Sequence, residues 1–198
     1  MYPKLYIDFT IQSQLPFALK CTRATIGYAF NASRRLVQFA ANKLRVGFDG
    51  LIIEPAATNL FNTSKNLTTW TKTGTATIVS ATSIDSTFAS IGITGYSASA
   101  TVTFEKSVSG SGLHTLSFYA TNVNNNVIRT VSFGGTTTSI KNGYNEIVGN
   151  NPTSVLITIT TNSFSSTSFI DKIDAVQVEA GSSATSHIVT TGSTVTRN

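Results

Sequence analysis

Between Ser97 and Val178 this sequence is punctuated, at short and even intervals, by clusters of turn-forming residues: Ser109-Gly110-Ser111-Gly112, Asn124-Asn125-Asn126, Gly134-Gly135, Asn142-Gly143 and Gly149-Asn150-Asn151-Pro152. The stretches between them, Ser97–Glu105, Leu113–Ala120, Val127–Phe133, Tyr144–Val148, Ser154–Thr161 and Phe169–Val178, are rich in Val, Ile, Thr, Phe and Tyr. Branched and aromatic side chains suit a pleated, half-buried surface, whereas Gly and Asn tolerate the backbone angles of tight turns. Short strands evenly spaced in this way point to a sandwich or jelly roll. No repeat of fixed period runs through the chain, which argues against a solenoid or β-helix.

The same alternation extends upstream. Leu5, Ile7, Phe9 and Ile11 alternate with polar residues, and Ala18–Arg23, Thr25–Phe30 and Arg35–Ala40 read as further strands, the last two joined by a turn at Asn31-Ala32-Ser33. Leu44, Val46 and Phe48 lead to an Asp49-Gly50 turn into Leu51–Ile53, so the first quarter reads as short hairpins. Pro55 ends that series, and residues 56–65 read as a connector with room for one helical turn. Trp70–Thr73 and Ala76–Ser80 are strand candidates, while Thr136–Thr138 and Ser165–Thr167 are polar enough for edges or loop tips. The expected fold class is all-β: an antiparallel β-sandwich (jelly roll) over residues 63–180, preceded by short N-terminal hairpins within 1–62. An extended C-terminal arm over 181–198 would pack along the domain or onto a neighbour.

Only 12% of the 198 residues are charged, against about 25% in ordinary soluble domains. Thr, Ser and Asn must therefore wet the surface, a composition suited to lateral packing and sugar contact. No apolar run approaches the roughly 18 residues that span a bilayer, and no signal-peptide core follows Met1. The expectation is a cytoplasmically made, soluble chain without membrane insertion. The formal net charge of +5 resides in the first fifty residues. Lys20, Arg23, Arg34, Arg35, Lys43 and Arg45 read equally as a surface docking an acidic protein partner and as solvated strand faces. With no basic run longer than Arg34-Arg35, direct nucleic-acid binding is not expected.

Residues for chemistry are few. The single Cys21 forms no internal disulfide, and the only histidines are His114, at the start of a strand where an exposed or capping role is the default, and His187 in the arm. No Gly-x-Ser-x-Gly elbow supports a nucleophilic serine. Asp171 and Asp174 stand three apart, a spacing that puts strand side chains on opposite faces, and Glu105, Glu146 and Glu179 are scattered. No catalytic residue, metal site or cofactor is therefore expected, and no spacing resembles a dedicated calcium loop. Trp70, Tyr96, Tyr119 and Tyr144 are candidate sugar platforms, because a flat ring stacks on a pyranose; each also fits a core or rim position. Glu54 and Glu179 each follow a buried strand and precede small residues, where a carboxylate accepts backbone N–H groups and clamps the chain exit. Asn59 is grouped with them as a clamp.

The phrase Gly50-Leu51-Ile52-Ile53-Glu54-Pro55-Ala56-Ala57-Thr58-Asn59-Leu60 resembles one found in many tailed-bacteriophage virion surface proteins. Ala175-Val176-Gln177-Val178-Glu179-Ala180-Gly181, continued by Ala184-Thr185-Ser186-His187-Ile188 and closed by Val195-Thr196-Arg197, resembles the matching C-terminal phrase. Asn66–Thr73 around Trp70 is similar to the same proteins' Trp-Thr-Lys strand. Asp8-Phe9-Thr10, Thr22-Arg23-Ala24-Thr25 and Asn42-Lys43-Leu44-Arg45 are similar to their lead-in. Ala57 stands where those proteins often carry Arg, so a charge contact made there is not expected here.

The resemblance implies a tail-fibre or head-surface component built on a jelly-roll module like those of carbohydrate-binding domains. The leading expectation is a homotrimer whose N-terminal hairpins anchor to other virion proteins while loop tips near 124–126, 136–139 and 163–168 touch host-surface glycan. A capsid cement or decoration protein is the alternative, and a glycan depolymerase a third.

Overall fold

The computed structural model describes residues 27–31, 36–47, 50–52, 54, 56–62, 69–75, 77–82, 89–94, 101–121, 127–161 and 171–197. The expected hairpins over 5–11 and 18–23 and the tips at 124–126 and 163–168 lie outside them.

Among the described residues, three small two-stranded ribbons accompany two larger sheets. β1 (Gly27–Phe30) pairs with β2 (Leu36–Phe39), and β3 (Val46–Gly47) with β4 (Gly50–Leu51), Gly47 opposite Gly50. β5 (Ala57–Asn59) is a strand in a segment whose sequence also leaves room for a helical turn. It pairs antiparallel with β16 (Val195–Arg197), so the C-terminal arm ends as a strand against its own chain.

The body consists of ten strands: β6 (Thr71–Thr73), β7 (Thr77–Thr82), β8 (Ala89–Thr94), β9 (Thr101–Ser107), β10 (Leu113–Thr121), β11 (Val127–Phe133), β12 (Thr136–Ser139), β13 (Gly143–Asn150), β14 (Ser154–Thr161) and β15 (Asp171–Ala180). They form two five-stranded sheets, ordered β13-β10-β15-β8-β7 and β12-β11-β14-β9-β6, and every registered pair is antiparallel. The protein is an all-β antiparallel sandwich. β8 is an addition to the expected strands; of the two alternatives for the Thr-rich residues 136–139, edge or loop tip, they take the edge, as strand β12.

Period-two alternation delivers the core. Val102 and Phe104, Val131 and Phe133, and Val155, Ile157 and Ile159 point inward from one sheet, against Leu116, Phe118, Ile147 and Val178 from the other. Truncating a filled position such as Phe118, 1% exposed, to Ala costs about 3–5 kcal/mol. Trp70 belongs to this core, its ring centroid 5.4 Å from that of Phe61.

Two departures from regular strand geometry shape the sheets. Gly134 and Gly135, at φ +52° and +83°, turn β11 into β12 with Phe133 opposite Thr136. The turn lies so close to β13 that a Cβ on Gly134 would sit 2.6 Å from the Asn150 N. On β15 the register against β10 slips between Ser117 and Tyr119, where Ala175 takes φ +54° and its N–H is held by the Asp174 Oδ1 at 2.7 Å. This is a β-bulge, one residue more on β15 than on its partner.

Candidate functional site

The outer face of the β10–β15 sheet carries two groups of polar side chains. The first lies under the arm. Gln177 and Glu179 leave β15 on the side away from the core, yet are 0% and 2% exposed, because residues 185–188 cover them. The Glu179 carboxylate accepts the N–H and hydroxyl of Thr185 and the Gln177 amide N–H, while the Gln177 Oε1 accepts the Ile188 N–H at 2.6 Å. Asn59, 0% exposed, satisfies four backbone groups: its Oδ1 accepts from Phe61 and Val178, and its Nδ2 donates to the carbonyls of Ile188 and Val176.

Glu54 continues the network. It accepts the Ser186 N–H, the Ser186 hydroxyl at 2.6 Å and the Arg45 Nη1 at 2.6 Å, with the Arg197 Nη1 at 3.2 Å. Both guanidiniums also donate to the Ser186 Oγ. Burial would push the Glu54 carboxyl up, but the Ser186 bonds, the Arg197 charge and the Arg45 bond outweigh it and hold the group below its ordinary value. Glu54 and Glu179 both wall a cavity of about 510 Å³ with Leu60, Gly181 and Thr196. With their oxygens already engaged, both carboxylates are spent on holding the arm.

The second group stands clear of the arm. Tyr119 on β10 and Tyr144 on β13 are register partners, their ring centroids 5.3 Å apart and the planes tilted by 51°. Tyr144 is 46% exposed, and its hydroxyl donates to the Glu146 Oε2 at 2.7 Å. The Glu146 Oε1 accepts the Ala184 N–H from the arm. Burial pushes the Tyr119 phenol up to about 12; burial, then the Glu146 bond and charge, push that of Tyr144 up too, so both rings remain neutral O–H donors at ordinary pH. Asp174 and Lys172 continue the face on β15, opposite Tyr119 and Thr121.

The structure thus joins Tyr119 to Tyr144. Trp70 is corrected: at 5% exposure it is a core residue whose ring cannot stack on a sugar. Tyr96 lies outside the described residues, as do Lys20, Arg23, Arg34 and Arg35 among the docking candidates. Lys43 is exposed, but Arg45 is also corrected, being 6% exposed and ion-paired to Glu54 within the chain. His114 is buried rather than exposed, its Nδ1 3.2 Å from the Gly112 carbonyl. Glu54, Asn59 and Glu179 meet in the network under the arm. The partnerships of Gln177, Ser186, Arg197 and Glu146 are not legible in the sequence. The one local sign is Val176-Gln177-Val178-Glu179, whose alternation marks a polar face without saying what covers it. Among the described residues, no three of His, Cys, Asp and Glu gather as a metal site.

No protein-family model matches the chain. No curated protein matches it in sequence. Among solved structures it is similar to the enzymatically active domain of tailspike protein 4 of bacteriophage CBA120, at 18% identity and a TM-score of 0.44. That match covers 61% of this chain and 21% of the tailspike chain, about a fifth of its length. It is similar to TmCBM61 in complex with β-1,4-galactotriose, at 11% identity and a TM-score of 0.40, over 61% of this chain and 97% of that one. A third similarity is to the CBM36-1 domain of a multidomain xylanase from the hindgut metagenome of Trinervitermes trinervoides: 15% identity, TM-score 0.31, covering 66% and 100%. No TM-score here reaches 0.5, so nothing about ligand or activity passes from these proteins to this chain.

Proposed function

We propose that this protein is a glycan-binding β-sandwich displayed on a tailed-phage particle, and that it binds without cleaving. The observation carrying the glycan reading is the Tyr119–Tyr144 pair. Phe61, Trp70, Phe104, Phe118 and Phe133 are spent on the core, whereas these two rings lie side by side on the outer face of a five-stranded sheet, with hydroxyl and carboxylate groups next to them. Aromatic area beside fixed polar atoms is what a sugar's apolar face and ring hydroxyls require. The virion reading rests on the resemblance of two phrases far apart in sequence. It gains support from their meeting in space, where Ala57–Asn59 pair with Val195–Arg197 and Glu54 holds Ser186. Binding without cleavage is supported by the engagement of Glu54 and Glu179 in holding the arm.

A second reading, capsid decoration, is favoured by the opposite sheet. Thr73, Thr103, Thr158, Thr130 and Ser139 share one register row across all five of its strands, an uncharged ladder of hydroxyls suited to lateral packing. Binding of purified protein to host-surface polysaccharide, compared with Tyr119→Ala and Tyr144→Ala, tests the first reading. A loss of at least tenfold is expected, with no reducing ends released by the wild type; unchanged binding in both variants rejects it. Locating the protein in the particle, in a few tail copies or at the copy number of the major capsid protein, decides between the two.

A further inference from the structure

The surroundings of the tyrosine pair restrict what kind of glycan it takes. In a chain of net charge +5 the charged group bonded to this pair of rings is an exposed carboxylate. Glu146 bonds the Tyr144 hydroxyl and, more weakly, the Ala184 N–H. Both donors are neutral, and among the described residues Glu146 forms no ion pair. Asp174, opposite Tyr119 in the next strand, is 4% exposed and holds the Ala175 N–H, which leaves Glu146 as the exposed carboxylate of the corner. Lys172 lies on the same face one row further along, opposite Thr121, on the far side of the row from Glu146 and its register partner Ser117. A uronic or sialic acid on the rings would meet the Glu146 charge at close range. A cation would meet two electron-rich ring faces and that same carboxylate, both attractive.

We propose that the Tyr119–Tyr144 corner selects glycans bearing a protonated amine, with the ammonium against the ring faces and the Glu146 carboxylate as its counter-charge. This deepens the glycan-binding reading and rests on it. Exposed cation–π contacts add modest attraction and partly desolvated ones more, so an amine should bind about tenfold tighter than the same sugar with the amine blocked. Added salt should narrow the difference, because the corner is open to solvent.

The test uses the full chain and three defined oligosaccharides in calorimetry: glucosamine oligomers, their N-acetylated counterparts, and galacturonate oligomers. Affinity is expected to be highest for the amine, about tenfold lower for the N-acetylated form and lowest for the uronate. Glu146→Gln should bring the ratio of the first two to about one without moving the thermal midpoint, since the side chain is exposed and Gln still accepts from Tyr144. Equal or tighter binding of the N-acetylated or uronate oligomer, or a ratio unaltered by Glu146→Gln, overturns the amine selectivity while leaving glycan binding standing. Failure of all three to bind, with host polysaccharide also unbound, overturns both.

Discussion

The Glu54 carboxylate takes both the backbone N–H and the side-chain hydroxyl of Ser186, a residue 132 positions further along the chain. The neighbouring residue, Thr185, is held in the same two-point manner by Glu179. Two consecutive arm residues are thus each gripped by one glutamate, and Arg45 and Arg197 neutralise the first of them.

Glu54→Gln should destabilise the fold by about 3 kcal/mol, because it preserves shape while leaving two guanidiniums, 5% and 3% exposed at the side chain, without their anion. Urea unfolding checks this. A midpoint equal to that of the wild type would show that the ion pairs contribute nothing net.

The depressed Glu54 carboxyl also gives a pH dependence. A group that titrates lower in the folded than in the unfolded chain stabilises fully above its unfolded value and loses that contribution as pH falls through the folded one. The gap in stability between wild type and Glu54→Gln should therefore be constant above about 4.5, Glu54's ordinary value, and should close progressively in more acidic buffer. Unfolding midpoints of both proteins across a pH series provide the measurement.

Asn59→Ala removes the acceptor for the Phe61 and Val178 N–H groups in a site with no water access. A buried donor left without a partner costs about 1–3 kcal/mol, so a combined loss of about 3 kcal/mol or more is expected in chemical denaturation. Asn59→Asp retains the acceptor but gives up both donated bonds and buries a charge, and should be no better tolerated.

Gly134→Ala and Gly135→Ala should differ sharply although both residues have positive φ. A methyl on Gly134 would strike the backbone of Gly149 and Asn150, whereas nothing lies within 4 Å of one on Gly135. The second substitution should cost about 1 kcal/mol of left-handed strain and the first markedly more. Paired thermal melts distinguish them; equal losses would mean that the turn does not abut β13.

Where the period-two signal is strong, as in Val102 to Phe104, Leu116 to Ala120 and Ile157 to Ile159, the sequence displays both strand and core, because each inward residue is apolar and the residues between carry polar groups. β8 is hidden because Gly92 interrupts Ile91 and Ile93, and β12 because an edge strand with every side chain exposed has no alternation to show. β5 is hidden because its partner is β16, at the far end of the chain. Distance along the chain also conceals the tyrosine corner: Tyr119 and Tyr144 each fit a platform, core or rim position in the sequence, and their pairing depends on the β10–β13 register.

The extra residue at Ala175 acts on β15 like an inserted base in a reading frame. Upstream of it Ile173 faces the core and Asp174 faces out; downstream, Val176 and Val178 face the core, and Gln177 and Glu179 face the arm. Deleting that one alanine would reverse the second half, driving an amide and a carboxylate into the hydrocarbon interior and turning two valines toward the groups that grip Thr185 and Ile188. The local kink therefore decides, for the whole downstream half of the strand, which side is oil and which is handle.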